Sequence, residues 1–219
     1  MRINRYVSLA TGLARRKVDL LISSQKVKVN DQFAQLGQNI EDLDIVKLDD
    51  QILKLPITKL LIAINKPPGY VVSRTGQGSQ TIYDLLPKKY YQLKPIGRLD
   101  KDSRGLLLLT NDGDYAFQLT HPSFKKPKIY QVVLDRNLDL SSNIKIKNGV
   151  KLKDGLSKMN IRKLADKTYE LELSEGRNRQ IRRTFKALGY NVLDLDRLSF
   201  GKYKKGSLEL GEYRIIDTI

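Results

Sequence analysis

An uninterrupted apolar run, "LLLLT" at residues 106–110, constrains the fold of this chain more than any other stretch. The run has the length of a strand, and it lies between Gly105 and the turn sequence "NDG" at 111–113. A short apolar run bounded in this way is typical of a buried strand. The residues that lead into it are therefore predicted to form a loop with a rigid support.

That loop, "GRLDKDSRG" at 97–105, contains two pairs of opposite charge. Arg98 precedes Asp100 by two residues, and Asp102 precedes Arg104 by the same spacing. Loops on a rigid scaffold are common locations for catalytic side chains. From the local sequence alone, an equally good interpretation makes Asp100 a turn residue that hydrogen-bonds to nearby backbone.

The composition excludes several kinds of chemistry. The 219 residues contain no cysteine, so disulfides, thiolate metal sites and cysteine nucleophiles are excluded. A single histidine, His121, argues against a zinc site and against a serine–histidine catalytic pair. No apolar stretch approaches the roughly 20 residues of a membrane span, and the N-terminus lacks the apolar core of a signal peptide. We therefore expect a soluble cytoplasmic protein.

The charge balance indicates a polyanionic partner. Forty Lys and Arg residues against 24 Asp and Glu residues give a formal net charge of +16. A surplus of this size on a folded protein raises the local concentration of nucleic acid. The alternative is a basic protein without such a partner, but the charges are patterned along the chain, which favours nucleic acid.

The N-terminal segment is rich in cations and predicts two short helices. The first spans Asn4–Thr11 and ends at Gly12, and the second spans Arg15–Ser23 with one apolar face. The first turn of the second helix carries three cations, Arg15, Arg16 and Lys17. Because the helix dipole disfavours cations at this end, we expect an external anion such as a phosphate there. An alternating strand, "KVKVND", follows with a turn at 30–31.

Residues 2–48 resemble the small RNA-binding module named after ribosomal protein S-four. The resemblance rests on the double arginine that opens a helix and on the V-x-V-N hairpin that follows it. Two features depart from the pattern: Ala14 replaces the usual capping serine, and Gln25 and Asp31 replace the usual glycines. The resemblance implies that the cations of this module face RNA.

A change of composition marks a boundary near Pro56, so we predict an N-terminal domain of residues 1–55 and a second domain of residues 56–219. In the second domain, "KLLIAINKPPGYVVS" predicts a strand, a Pro-Pro-Gly turn and a second strand from Tyr70. "SQTIYDLLP" predicts a short helix capped by Ser79. Strands recur with few helices between them, which predicts an α+β fold with a mixed, mostly antiparallel sheet and flanking helices.

The loop and the strand together resemble a known enzyme family. G-R-L-D followed by D-[ST]-x-G-L-L-L-L-T-N-D-G is similar to the signature of the pseudouridine synthases of ribosomal RNA, in the branch that modifies single sites in small- or large-subunit RNA. Two further stretches agree, "KIYQVVL" with Tyr130 and "EGRNRQIRRTFKALGY" at 175–190. With the RNA-binding module, the resemblance covers almost the whole chain.

The resemblance implies a site and a reaction that needs no metal or cofactor. Asp100 corresponds to the catalytic carboxylate, Tyr130 to the tyrosine that packs on the target base, and Arg98 to the residue that fills the gap left by the extruded nucleotide. Arg182 is expected to pair with Asp100. Ile181 is also expected to contact the substrate RNA. The cations expected to contact its phosphates are Arg177, Arg179, Arg183 and Lys186.

The stretch 175–190 is predicted to contain a helix. Its apolar stripe is formed by Ile181, Phe185 and Leu188, and the helix is predicted to end at Gly189. Asp102 and Arg104 are interpreted as support for the loop.

Alternatives to a large-subunit pseudouridine synthase remain open at this point. One is a synthase for small-subunit RNA, and another is a non-catalytic RNA-binding or assembly factor on the same fold. A third is an enzyme that cleaves a glycosidic bond with Asp100 and Asp102 as a carboxylate pair, although the chain has no tryptophan to stack on a sugar. The expected partner is ribosomal RNA in an assembly intermediate, bound by a monomer.

Overall fold

The computed structural model describes residues 1–55 and 59–216 of the chain. The predicted domain boundary at Pro56 lies outside the described residues. The α-helices are α1 (Ile3–Thr11), α2 (Arg15–Ser23), α3 (Gly113–Thr120), α4 (Leu140–Asn148) and α5 (Gln180–Ala187). Short 3₁₀ helices span Ile82–Leu85, Lys88–Tyr90 and Pro122–Phe124. No helix within the described ranges is long and apolar enough to cross a membrane.

The strands fall into a small N-terminal sheet, a larger sheet and a separate hairpin. The small sheet comprises β1 (Val27–Val29), β2 (Gln32–Phe33), β3 (Val46–Leu48) and β4 (Gln51–Ile52). The larger sheet comprises β5 (Leu61–Lys66), β6 (Lys94–Ile96), β7 (Arg104–Thr110), β8 (Lys128–Leu134), β11 (Asn160–Ala165), β12 (Thr168–Leu173), β13 (Val192–Phe200), β14 (Tyr203–Lys204) and β15 (Tyr213–Ile216). The hairpin comprises β9 (Val150–Leu152) and β10 (Gly155–Ser157).

The N-terminal residues build a core of their own. Two helices pack on an antiparallel sheet of order β2-β1-β3-β4. Gly12 ends α1 in a left-handed conformation, and α2 has the predicted bounds with Ala14 at its N-cap and no side-chain capping bond. Asn30 and Asp31 both have positive φ, as expected of a two-residue hairpin turn. The buried residues of this core are Ile3, Val7, Val18, Ile22, Val27, Val29, Ala34, Ile40 and Val46.

The larger sheet is mixed and mostly antiparallel, which confirms the predicted fold class. Its order is β11-β12-β8-β13-β7-β5-β15, and β7 runs parallel to β13 and antiparallel to β5. The predicted buried strand is β7, and its leucines alternate between two cores: Leu107 and Leu109 face one, Leu106 and Leu108 the other. Burial on both faces explains why the run is apolar at every position.

Two local predictions for the residues that follow β5 are wrong. No strand resumes at Tyr70; Val71 forms only an isolated bridge with Thr81. The helix after it is a single 3₁₀ turn capped by Thr81, not by Ser79. Thr81 accepts a hydrogen bond from the Tyr83 amide, and Asp84 accepts one from the Thr81 amide, so a reciprocal capping box fixes the start.

Helix α1 contacts the larger-sheet region near β6, the strand that precedes the 97–103 loop. Lys94 Nζ donates to Ser8 Oγ at 2.8 Å, and Arg5 forms an ion pair with Asp114 at the start of α3. The opposite end of α3, at Thr120, lies next to Gly97 at the start of the 97–103 loop. This helix therefore connects α1 with the region of the predicted site.

Candidate active site

A cleft of about 480 Å³ lies beside the 97–103 loop. Four segments line it: the loop itself, Thr120 and Pro122 at the end of α3, one face of β8 and β13, and the residues from the end of β12 into α5. Seven of the predicted site residues line this cleft, namely Arg98, Asp100, Tyr130, Arg177, Arg179, Ile181 and Arg182. The structure thus brings together residues separated by more than 80 positions in sequence.

The loop is fixed at both ends by packing and backbone contact. Leu99 is buried in the main core, and the Asp100 carbonyl accepts the Ser103 amide at 3.1 Å in a tight turn. At the start of β7, Gly105 has φ +109°, and a Cβ there would lie 2.4 Å from the Arg197 amide nitrogen of β13. Only glycine permits this approach. The Asp100 side chain is 29% exposed and reaches the cleft from this rigid loop.

Arg179 supplies the cation closest to the Asp100 carboxylate. Its two terminal nitrogens donate to the two carboxylate oxygens of Asp102 at 2.9 and 3.0 Å, and Nη1 lies 3.8 Å from Asp100 Oδ2. The hydrogen bonds from Arg179 lower the pKa of Asp102, aided by the charge of Arg182, and outweigh the opposing effect of burial. Arg179 stands at the N-cap of α5 with left-handed backbone, φ 46° and ψ 32°, which is an uncommon conformation for a side-chain-bearing residue.

The expected pairing of Arg182 with Asp100 is not the arrangement in the structure. Arg182 Nε lies 3.3 Å from Asp102 Oδ2, and its Nη2 donates to the Asp102 carbonyl at 2.9 Å. Its Nη1 donates to the carbonyl of Val192 on β13 at 2.9 Å. These three contacts direct the guanidinium to the far end of the loop, so Arg182 ties α5 to both the loop and the sheet.

Lys66 is a loop anchor that sequence reasoning missed. It is fully buried at the end of β5, and its Nζ donates to the carbonyls of Ser103 at 2.7 Å and Pro67 at 2.9 Å. Burial lowers its pKa to about 8, partly offset by the charges of Asp102 and Asp100. A lysine that ends a buried apolar strand was the available signal, because such a lysine needs partners for its ammonium.

The floor of the cleft combines an aromatic ring with two further cations. Tyr130 on β8 and Ile181 on α5 are both buried and both line the cleft. Lys128, two residues before Tyr130, has a pKa lowered to about 8 by burial and then by the neighbouring Arg197. Arg197 is buried and donates from Nε to the Leu106 carbonyl at 2.7 Å. Sequence reasoning identified neither cation.

Three of the cations predicted to contact phosphate lie on or next to α5 and have different environments. Arg183 donates to both carboxylate oxygens of Asp154 at 2.8 and 2.7 Å, and Arg177 contacts Asp154 and Glu175 at 3.3 and 3.1 Å. These bonds fasten the start of α5 to the β9–β10 hairpin. Lys186 is exposed, and no ion pair is found for it among the described residues.

The loop-support interpretation fits the contacts of Asp102 and Arg104. Asp102 binds the two arginines described above. Arg104 forms ion pairs with Asp194 and Asp196 of β13 at 2.8 and 3.1 Å. Asp100 is therefore the loop carboxylate that remains without a hydrogen-bonded arginine within the described chain.

The cations of α2 lie outside this cleft. Arg15 donates to Asn4 Oδ1 at 3.1 Å, while Arg16 and Lys17 are exposed and without ion pairs among the residues described. No group of three or more His, Cys, Asp or Glu side chains arranged for a metal is present in residues 1–55 and 59–216. The cleft offers the Asp100 carboxylate with Arg179 nearby and the ring of Tyr130, and the other carboxylate of the lining, Glu175, is paired with Arg177.

Comparison with known proteins gives a consistent result. A family model described as RNA pseudouridylate synthase matches residues 60–187. An uncharacterized RNA pseudouridine synthase of Aquifex aeolicus is 36% identical over 98% of this chain and 89% of its own length. Ribosomal large subunit pseudouridine synthase B of Buchnera aphidicola is 36% identical over 85% of this chain and 81% of its own. A crystal structure of a pseudouridylate synthase superposes with a TM-score of 0.72 and 30% identity, covering 99% of this chain and 96% of the other.

Proposed function

This chain belongs to the RNA pseudouridylate synthase family, and we propose that it isomerises a specific uridine of ribosomal RNA to pseudouridine with Asp100 as the catalytic carboxylate. The observation that carries the proposal is the position of Asp100. Its side chain lines a cleft that is also lined by Tyr130 and Ile181. The hydrogen bonds from Arg179 to the loop go to Asp102, two residues further on, and not to Asp100.

The reaction replaces one glycosidic bond by another. The bond from C1′ of the ribose to N1 of uracil breaks, the base rotates, and C5 bonds to C1′. C5 then loses its proton and N1 gains one, so the product is an isomer of the substrate. A carboxylate can promote this by attack on the sugar or by acting as a base. Either role places negative charge on the carboxylate in the cleft, and Arg179 Nη1 lies 3.8 Å from Asp100 Oδ2 as the nearest cation.

The apolar and aromatic side chains of the cleft fit a flat uracil. Tyr130 and Ile181 are proposed to contact the base, with the Tyr130 ring packed on it. A base inside folded RNA must leave its stack, which costs roughly a few kcal/mol. Arg98 is exposed at the same cleft and is proposed to occupy the gap that the base leaves.

Arg182, with Arg179, Asp102 and Lys66, is proposed to keep the loop in one conformation while RNA is bound. Lys66, at the end of β5, holds the loop by a hydrogen bond to the Ser103 carbonyl. Arg182, on α5, holds it by a hydrogen bond to the Asp102 carbonyl. Catalytic rates depend steeply on such positioning, since a displacement of about 1 Å costs on the order of 100-fold. Arg182 thus contributes to catalysis through the loop.

Residues 1–55 are proposed to act as an S-four-type RNA-binding module. The support is the separate core, the hairpin turn at 30–31 and the exposed cations of α2. Arg15, Arg16 and Lys17 would bind backbone phosphates away from the cleft. Arg177, Arg179, Arg183 and Lys186 were expected to do the same, and Lys186 is the one among them whose side chain has no carboxylate partner in the described chain.

The RNA is proposed to be that of the large subunit, in an assembly intermediate in the cytoplasm, bound by a monomer. One relative is named for the large ribosomal subunit, and its 36% identity supports this choice over small-subunit RNA. The test maps pseudouridines in ribosomal RNA from cells with and without this protein, and again after complementation with the wild type or Asp100→Asn.

One large-subunit pseudouridine should disappear on deletion and return only with the wild-type protein. Loss of a small-subunit pseudouridine would mean that the substrate is small-subunit RNA. An unchanged map would contradict the proposed function and leave a non-catalytic RNA-binding factor.

A further inference from the structure

Three aromatic rings form an exposed cluster beside the cleft, and the proposed reaction does not use them. Phe117 lies on α3, His121 follows the end of that helix, and Phe124 ends the next 3₁₀ turn. We call these three residues the aromatic cluster. Phe117 is 54% exposed and Phe124 is 44% exposed, so the cluster presents aromatic surface to solvent.

The rings of the cluster are held against each other. The Phe117 and His121 centroids are 4.6 Å apart with the planes at 39°, and Phe124 lies 6.1 Å from Phe117 and 6.2 Å from His121, nearly perpendicular to both. His121 Nδ1 is also hydrogen-bonded to Ser123 Oγ at 2.7 Å. These contacts restrict the rotamers of the three rings before any partner binds, which reduces the entropy lost on binding.

The cluster is continuous with the proposed active site. Thr120 and Pro122, which alternate with the cluster residues along the chain, line the cleft. Thr120 Cγ2 would lie 3.9 Å from a Cβ placed on Gly97, the first residue of the Asp100 loop. Thr120 and Pro122 therefore form part of the cleft's edge. A strand of RNA whose uridine enters the cleft must pass over this edge or the opposite one.

The charges around the cluster favour RNA over an apolar protein surface. Lys125 and Lys126 directly follow Phe124, and the left-handed backbone of Lys125 makes the turn that places them there. The acids of α3, Asp112 and Asp114, are at the other end of the helix and are paired with Lys59 and Arg5. Exposed rings flanked by cations are the usual means of binding single-stranded nucleic acid, because every base can stack on a ring.

We propose that the aromatic cluster is a stacking surface for an unpaired base of the RNA that flanks the target uridine, with Lys125 and Lys126 facing the adjoining phosphates. This inference rests on the proposed function for the identity of the RNA. It adds a contact outside the cleft that helps to select which uridine enters.

The test compares RNA binding by variants that keep or remove a ring. Phe117→Ala and Phe124→Ala each remove one ring, Phe124→Leu keeps an apolar side chain without a ring, and Phe124→Tyr keeps the ring. Ile144→Ala is the matched control, because Ile144 is 50% exposed on α4 and does not line the cleft. Binding is measured by fluorescence anisotropy with a labelled single-stranded oligouridine, and thermal unfolding checks that each variant is folded.

Removal of a ring should weaken binding by at least about fivefold, since stacking of one base on an aromatic ring contributes about 1–3 kcal/mol. Phe124→Leu should behave like Phe124→Ala, whereas Phe124→Tyr and Ile144→Ala should stay within about twofold of wild type. Alanine variants that bind RNA as tightly as wild type would overturn the inference and indicate a different partner such as a protein. Full rescue by Phe124→Leu would also overturn it, since the ring would then be unnecessary.

A second measurement keeps this inference distinct from the proposed function. Single-turnover pseudouridine formation is followed on an unmodified ribosomal RNA transcript. The Phe117→Ala and Phe124→Ala variants should need more enzyme for half-maximal rate and should reach the wild-type rate at saturation. If the wild type makes no pseudouridine on any ribosomal transcript, the proposed function fails, while the oligouridine measurement still decides for or against the cluster.

Discussion

Two helices of this protein, α5 and α2, begin with several cations close together, and these cations differ in whether carboxylates of the protein pair with them. At the start of α5, Arg179 is bonded to Asp102 and Arg183 to Asp154, each through two nitrogens. At the start of α2, Arg16 and Lys17 are exposed and have no ion pairs within the described residues. Cation-rich sequence therefore does not by itself identify an RNA contact. The α5 arginines mainly hold the cleft together, and the α2 cations remain available to an external anion.

The difference follows from what each helix packs against. The start of α5 meets the 97–103 loop and the β9–β10 hairpin, which together supply Asp102 and Asp154. The acids of the N-terminal module pair elsewhere, with Lys28 binding Asp50 and Lys47 binding Asp31. An external phosphate would therefore compete with internal carboxylates at α5 but not at α2.

The largest effect should come from the one loop carboxylate that no arginine binds closely. Asp100→Asn is nearly isosteric, so folding and RNA affinity should stay near wild type while single-turnover product formation falls by more than about 100-fold. Asp102→Asn is the matched control. It should weaken the contacts of Arg179 and Arg182 with the loop and cause a smaller loss of rate than Asp100→Asn. Activity of Asp100→Asn within about tenfold of wild type would exclude Asp100 as the catalytic group.

The next effect should separate arginines that both belong to α5. Arg182→Ala removes the bonds to the Asp102 and Val192 carbonyls, so the rate at saturating RNA should fall roughly 10- to 100-fold through misplacement of the loop. Arg183→Ala breaks only the contacts with Asp154 and Asn178 and should leave the rate within about twofold.

Arg182→Lys supplies the control for charge. Lysine keeps the cation but lacks the planar fork that reaches both carbonyls. It should therefore resemble Arg182→Ala in rate and wild type in RNA affinity. Equal losses of affinity with unchanged chemistry for Arg182→Lys and Arg183→Ala would mean that Arg182 binds phosphate.

A smaller effect should appear in the pH dependence of stability. Burial lowers the pKa of Lys66 to about 8, whereas its ordinary value in the unfolded chain is 10.5. Between these values the unfolded chain binds more protons, so the free energy of unfolding contributed by Lys66 rises with pH from about 8 to 10.5. Below pH 8 the cost of burying the ammonium is fully present.

Lys66→Met isolates this contribution. Urea unfolding of both proteins should show that the stability of wild type relative to the variant increases from pH 8 to 10.5. A difference that does not change with pH would mean that Lys66 titrates at its ordinary pKa. Lys128→Met is a useful second variant, because burial also lowers the pKa of Lys128 to about 8.

Much of the fold could be predicted because local pattern and packing agree. The bounds of α2 follow from the helical spacing of Val18 and Ile22, and β7 follows from apolar residues between Gly105 and the next turn. The strand expected at Tyr70 could not be excluded from sequence, because its failure depends on the absence of a neighbouring strand to pair with. The helix is capped by Thr81 and not by Ser79 because its first residue is Ile82. The position of that first residue could not be predicted from the sequence pattern.

The site shows the same limit. Asp100, Tyr130 and Arg182 were predicted as site residues, and all three line one cleft. The partners of the arginines could not be predicted, because Asp102 and Asp154 approach α5 only through long-range folding. Sequence reasoning therefore assigned Arg182 to Asp100 and Arg183 to phosphate, whereas the nearest cation to Asp100 is Arg179.

The most direct test of the contrast between the two helices is the salt dependence of RNA affinity. Each phosphate contact that is lost should lower the slope of log K against log salt by about 0.7–0.9. We expect a loss of about two such steps for the double variant Arg16→Ala with Lys17→Ala, and an unchanged slope for Arg183→Ala, whose charge is already matched by Asp154. A larger change of slope for Arg183→Ala than for the α2 double variant would contradict the account.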